Sequence, residues 1–530
     1  MALPKLAVFS GPRSTIANTP ALVTSNKGRL EGERELGGRF DHLVAQTLHE
    51  PVTVRIKKFS AHPMEEDADS VYMDDGKDYF EVTLSPEDGQ YLLPYMARRA
   101  DGSPEGAPFE WGDLQDAAIA YGGRQTFFPD ASGLFEQIDR TIGGRDAQGE
   151  GSVLSRLAEY EFIRVLPPAG YTKKGETAGA DFFPYQPRPM GKYPPAHTMA
   201  RVVNIVQAAM ESGDYAGGIW LEGSPHLEET LFWMSLTIDT DLPLVGISAQ
   251  RTHGELSNDG DRNIVDAVRY VLSNQADGLG AVGMVDEQIF AARVFKKGDG
   301  RPGGYRATGG HGGVLGSGRP PARVWYKPAY KHTSSSDLAV SRLPAEVRFL
   351  AYADDTEPTA IAIKDADGKL RGDAIAQVHI VKYGHYMAEE DSADPDLEVD
   401  IIARIKRGLD QEADVGPNAP RFHGFVLEAA AGTGSALRSQ VSAMGVAAYS
   451  GMPVARVGRG DPEGPIPTNP NDLTIEGNNL DAIKARVLLR ASMLKLGRLP
   501  KARDPRNPTP KEREAALSKI AEYQAIFDTH

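Results

Sequence analysis

Short apolar runs, each closed by a polar or glycine-rich loop and then by a segment of helical period, recur through this chain of 530 residues. LAVFS at 6–10 runs into GPRSTIANTP, GIWL at 218–221 into EGSPH, and PLVGISA at 243–249 into QRTHGELSNDGD. FHGFVLEA at 422–429 runs into AAGTGSALRSQ, and PVARVG at 453–458 into RGDPEGPIP. Between them lie helical patterns: in HTMARVVNIVQAAMESG, residues Met199, Val202, Val203, Val206 and Met210 fall on one face. Alternation of this kind predicts an α/β fold built from βαβ units around a parallel sheet. Ligands of such sheets sit beyond the carboxyl ends of the strands, which is where these Ser/Thr/Gly/Glu loops fall.

The length exceeds what one hydrophobic core serves, so two or three domains are expected. Hydrophobic and charged shares of 41% and 25% are those of a soluble globular protein. A net charge of −15 argues against nucleic acid or an anionic membrane as partner and fits a small-molecule substrate. The chain has no cysteine, which excludes disulfides, thiol nucleophiles and cysteine-ligated metals. No stretch approaches the roughly 20 apolar residues of a membrane span. The apolar run in MALPKLAVFSGPRS is too short for a secretion signal, so the cytoplasm is the expected location.

Three regions break the pattern. Residues 66–195 are irregular and rich in Gly, Pro, Asp and aromatics, with strand-like runs such as YFEVTL and EFIRVL. Residues 298–322 read as a glycine-rich loop, and 388–419 as an acidic surface insertion. The segment TPKEREAALSKIAEYQAIFD has the spacing of a docking helix.

Several motifs are missing. There is no GxxxxGK[ST] phosphate loop, no HExxH and no GxSxG elbow, and GTGSAL lacks the full GxGxxG pattern. No metal and no cofactor is expected. What remains is a strand-end hydroxyl activated by a base, and a desolvated lysine is one such base. The stretch GIWLEGSPHLEETLFWMSLTI concentrates such groups: Glu222, Ser224 and His226 crowd one strand end. Locally it reads as a helix start, with Ser224 as N-cap, Pro225 at the first helical position, and Glu228 and Glu229 in the first turn.

This stretch resembles the threonine-dependent L-asparaginase/glutaminase family, in which a His-Gly-Thr-Asp-Thr loop is followed by Met-Glu-Glu-Thr and an apolar helix. LSNDGDRNIVDAV is similar to the family's next loop, and FSGPRSTIANTP to its N-terminal Thr-Gly-Gly-Thr-Ile-Ala signature. VTVRIKKFSAHPMEED resembles its substrate-binding segment, FVLEAAAGTGSAL its Gly-Val-Gly-Asn-Gly loop, and NNLDAIKARVLLRASM its Asn-Pro-x-Lys-Ala-Arg helix. The resemblance implies Thr15 as nucleophile, Ser224 as the second hydroxyl, and Lys296 as the lysine, with Lys297 the neighbouring choice. It implies substrate contacts at Ala61, His62, Glu222, Pro225, His226 and Ser435. It also implies a homodimer or homotetramer in which the 430–440 loop approaches the partner's nucleophile. The domains expected are a larger N-terminal α/β domain with a mixed or parallel sheet (1–65 and 196–335), interrupted by the 66–195 insertion. A smaller C-terminal α/β domain covers 345–530.

The departures bear on the substrate. Pro225 stands where the family has the aspartate that holds an α-ammonium, and Ala61-His62 replace the pair that holds the α-carboxylate. Arg13 and Ser14 replace two glycines before Thr15, and the loop tyrosine expected after it is missing. A site without those partners does not favour a free amino acid, because an unpaired buried charge is expensive. The expected activity is therefore hydrolysis of a small carboxamide or cyclic amide other than asparagine. The alternatives are an inactive asparaginase-fold scaffold and an ammonia-generating amidotransferase subunit.

Overall fold

The computed structural model describes residues 2–11, 154–165, 195–224, 226–251, 257–308, 313–383, 392–413, 420–459 and 473–530, with single positions and five short strands elsewhere before residue 139. Thr15, Ala61, His62 and Pro225 lie outside the described residues.

β1 (Lys5–Ser10) is followed by β2 (Leu22–Thr24), β3 (Leu43–Thr47), β4 (Val52–Lys57), β5 (Tyr79–Leu84) and β6 (Gln90–Pro94), which pair among themselves as β2-β4-β5 and β3-β6. Then come α1 (Leu154–Leu157), β7 (Glu159–Arg164), α2 (Pro195–Glu211), β8 (Gly218–Leu221), α3 (Leu227–Thr237), β9 (Leu244–Ile247), α4 (Gly260–Val271), β10 (Ala281–Val285) and β11 (Gln288–Ala291). After the hairpin of β12 (Phe295–Lys297) and β13 (Tyr305–Ala307), β14 (Val314–Ser317) and β15 (Arg323–Val324) close the main sheet. Its order is β15-β14-β11-β10-β9-β8-β1-β7. The strands from β10 to β7 are parallel, and β11, β14 and β15 are added by successive antiparallel pairings, β10 with β11, β11 with β14 and β14 with β15. β7 comes from the 66–195 span, yet it pairs along its whole length with β1. The strand-like run EFIRVL is thus an integral edge of the sheet.

Both faces of this sheet are covered, as the continuous apolar runs require. Ala7 and Phe9 face α2 and α3, whereas Leu6 and Val8 share the opposite layer with Ile264, Val265 and Val268 of α4. At the exit of β1, a Cβ on Gly11 would collide with the Trp220 ring. Only glycine lets the chain leave the sheet against that indole.

The second unit holds the hairpin β16 (Glu346–Phe349) and β17 (Thr359–Ala362), then β18 (Gln377–Lys382), α5 (Val399–Ala413), β19 (His423–Ala429), α6 (Arg438–Tyr449), β20 (Val454–Gly458), β21 (Ile475–Glu476), α7 (Ala482–Leu496) and α8 (Pro510–Phe527). β18-β19-β20-β21 form a parallel sheet. The acidic 388–419 stretch carries α5, whose Ile401 and Ile405 pack against Phe425, Leu427 and Met444. α5 is thus an amphipathic helix whose outer face mixes charges, with Arg404 paired to Asp400 and Lys406 to Asp410. No helix among the described residues is long and apolar enough to cross a membrane.

α7 is buried nearly all round, because it lies between the second sheet and α3 of the first unit. Its Lys484, 1% exposed, donates to the carbonyls of Glu228 and Ala292 and stands 5.4 Å from the Phe232 ring. Burial pulls its pKa down to about 8. Lys484→Met should lower stability by about 2–3 kcal/mol at pH 7, since two buried carbonyls lose their donor. The folded-state pKa lies below the unfolded value of 10.5. The unfolded chain therefore binds more protons between those limits, and wild-type stability rises with pH there. Chemical denaturation from pH 7 to 10.5 should show the gap between wild type and variant widening above pH 8.

Candidate active site

The carboxyl end of β8 opens onto the turn that the sequence marks. The Gly223 carbonyl accepts the His226 amide at 3.1 Å, closing a turn of its own. α3 therefore starts at Leu227 with His226 at its N-cap, two residues later than Ser224 and Pro225 suggested. Gly11 donates its amide to the Leu221 carbonyl at 2.8 Å, so the chain leading toward Thr15 leaves the sheet beside this turn.

Ser224 Oγ accepts a hydrogen bond from Lys297 Nζ at 2.6 Å. Lys296 is turned elsewhere, with its Nζ 3.4 Å from Asp481 Oδ2 at the N-cap of α7. Successive side chains of a strand point to opposite sides, so only one of two adjacent lysines can meet Ser224. The β12–β13 register, which sets Lys297 opposite Tyr305 and Lys296 opposite Arg306, decides which one.

The Glu-Glu pair of α3 does more than favour a helix start. Glu228 is buried and accepts the Lys297 backbone amide at 2.7 Å. Burial raises its pKa, against the opposing pull of the Lys484 ammonium. Glu229 pairs with Arg486 at 2.9 Å and Arg490 at 3.0 Å, both on α7. One glutamate thus holds the lysine strand, and its neighbour holds the second unit.

The end of β9 contributes Ser248, whose Oγ is 2.9 Å from the Tyr305 hydroxyl. Its carbonyl accepts from Asn263 Nδ2 at 2.8 Å, and Asn263 Oδ1 accepts the Asp286 amide at 3.0 Å. Asp259 gathers the amides of Gln250 and Arg251 at 2.8–3.1 Å, fixing the start of the following loop. Tyr305 and Ser248 were not singled out by the sequence. Tyr305 sits inside the glycine-rich 298–322 stretch, and the only local sign of it is the short YRA run of β13.

Glu222 is buried, with its two oxygens accepting Trp220 Nε1 at 2.8 Å and Thr230 Oγ1 at 3.0 Å. His226 is half-buried, and no side-chain cap bond is made at its N-cap position. Ser435 lies on an exposed turn beyond β19, its hydroxyl donating to Thr433 Oγ1 at 3.0 Å. Among the described residues, Ser435 makes no hydrogen bond to the Ser224 turn. No group of three or more His, Asp or Glu among the described residues could hold a metal ion.

The family model described as the N-terminal part of asparaginase matches residues 194–301, which carry the Ser224 turn, both loop ends and the two lysines. This segment is similar to the asparaginase family. A glutaminase-asparaginase of Acinetobacter glutaminasificans is 28% identical over 169 residues, 31% of this chain and 49% of that protein. An L-asparaginase of Bacillus licheniformis is 34% identical over 92 residues, 17% of this chain and 29% of that protein. The chain thus spans half or less of these curated relatives. A solved structure of a probable cytoplasmic L-asparaginase from Campylobacter jejuni gives a TM-score of 0.49 at 17% identity, covering 74% of this chain and 91% of that one.

The inward engagement of Glu222 predicts a structural effect on substitution. Glu222→Ala should lower stability by about 1–3 kcal/mol, because a buried indole N–H is left without an acceptor. Glu222→Gln, which keeps one carbonyl acceptor, should recover most of that loss in urea unfolding.

Proposed function

We propose that this asparaginase-like chain hydrolyses the C–N bond of a small carboxamide or cyclic amide, with Ser224 and Lys297 relaying the proton. The observation that carries the reading is the 2.6 Å contact between their side chains at the carboxyl edge of the main sheet. A lysine that has lost its proton can take one from a hydroxyl, and the partly buried setting of Lys297 limits competition from water. Lys297 stands in this role in place of Lys296, which faces Asp481.

Thr15, four residues beyond Gly11 in the sequence, is the proposed nucleophile. The support is its family-like signature and the exit of β1 beside the Ser224 turn. Its Oγ would bond to the amide carbonyl carbon while its proton passes through the Ser224 hydroxyl to Lys297 Nζ. On collapse the C–N bond breaks, and the lysine returns the proton to the leaving nitrogen. Water then cleaves the Thr15 ester by the same relay, releasing the carboxylic acid. Pro225 and Ala61 carry no charge to pair with an α-ammonium or α-carboxylate, so amides lacking one of those groups fit better than asparagine or glutamine. Ser435, on its exposed turn, is the residue we assign to a second copy's pocket in a homodimer or homotetramer.

Ammonia or amine release from a panel of amides and lactams tests the reading. Thr15→Ala and Lys297→Met should each lose roughly a thousandfold in kcat/KM, whereas Lys296→Met should stay within about tenfold of wild type. Brisk asparagine turnover would refute the substrate class. Unchanged activity in Thr15→Ala or Lys297→Met would refute the mechanism. Release from no amide would favour the inactive-scaffold alternative.

A further inference from the structure

Tyr305 is tied to both members of the Ser224–Lys297 pair. In the β12–β13 hairpin it stands directly opposite Lys297, so the two side chains rise from one face. Its ring lies against that of Phe295, two residues before Lys297, with centroids 4.5 Å apart and planes 1° from parallel. Its hydroxyl donates to the Ser224 carbonyl at 2.7 Å and lies 2.9 Å from Ser248 Oγ. A phenol has one hydrogen to give, so the Ser248 hydroxyl is the donor in the second bond. Burial raises the phenol's pKa, which keeps that hydrogen in place at neutral pH.

These bonds matter because the lysine strand is not part of the main sheet. β12 has three residues and, among the described residues, pairs with β13 alone in a two-stranded unit. The Ser224 turn, by contrast, hangs from β8 near the centre of the eight-stranded sheet. Two separately supported segments must therefore be held in register for a 2.6 Å contact to persist. The Glu228 bond to the Lys297 amide fixes the lysine strand from the α3 side. Tyr305 fixes the Ser224 main chain from the hairpin side.

We infer that Tyr305 is a positioning residue: its hydroxyl holds the Ser224 turn where Ser224 Oγ meets Lys297 Nζ. The inference rests on the proposed proton relay. Tyr305→Phe isolates the hydroxyl, because the ring and its stacking on Phe295 remain. Two readouts are needed with Tyr305→Phe, Ser224→Ala and the double variant. The first is steady-state ammonia release from the amide that wild type cleaves fastest. The second needs no substrate: the rate at which trinitrobenzenesulfonate labels Lys297, followed by peptide mass spectrometry.

In Tyr305→Phe, kcat should fall about fivefold to tenfold with KM within about twofold, the scale of one lost hydrogen bond. Lys297 labelling should rise by a similar factor, as in Ser224→Ala, and the double variant should label no faster than Ser224→Ala alone. Wild-type kcat and labelling in Tyr305→Phe, or effects that add in the double variant, would overturn the inference. If Ser224→Ala leaves kcat unchanged, the relay itself fails. Matched labelling in the two single variants would then still support Tyr305 as the group that holds Ser224 against the lysine.

Discussion

The buried ammonium of Lys484 is where the two units and the candidate site meet. It reaches from α7 to the carbonyls of Glu228 on α3 and Ala292 just before β12. A lysine so fully desolvated is tolerated only where acceptors converge on it. The convergence fixes three things at once: the second unit against the first, the helix after the Ser224 turn, and the entry to the lysine strand. Glu229, paired with Arg486 and Arg490, adds a second clamp one residue along α3.

The proposed proton relay depends on that clamp through strand parity. Ser224 meets Lys297, and Lys296 goes to Asp481, because β12 presents alternate residues to opposite sides. A slip of one residue between β12 and β13 would exchange the two lysines. Glu228 bonding the Lys297 amide and Tyr305 bonding the Ser224 carbonyl oppose such a slip from two directions. The site is thus a short hairpin set against the turn after the interior strand β8 and held there by buried polar contacts.

Much of the architecture was legible in the sequence. The apolar runs at 6–10, 218–221, 243–249, 422–429 and 453–458 correspond to β1, β8, β9, β19 and β20, since strands buried on both faces announce themselves by continuous apolarity. α2 and α8 followed from their spacing. α5 did not, because its acidic flank obscured the Ile401/Ile405 stripe. The 66–195 span hid the edge strand β7 for a different reason: an edge assignment depends on a partner distant in sequence. Within the site, Ser224 was visible as a hydroxyl at a strand end. The choice between Lys296 and Lys297 was not, because parity is set by the pairing of β12 with β13. Tyr305 escaped because its neighbours are glycines, and its role arises from contacts 57 and 81 residues away in sequence.

The most direct test of a threonine ester formed with help from the Ser224–Lys297 pair is to trap the intermediate. Wild type and Lys297→Met are acid-quenched during turnover of the best amide, and the peptides are mapped by mass. An added acyl mass is expected on the peptide containing Thr15 in wild type, and none in Lys297→Met. An acyl group on Ser224 instead, or equal acylation of Thr15 in both proteins, would contradict the proposed mechanism.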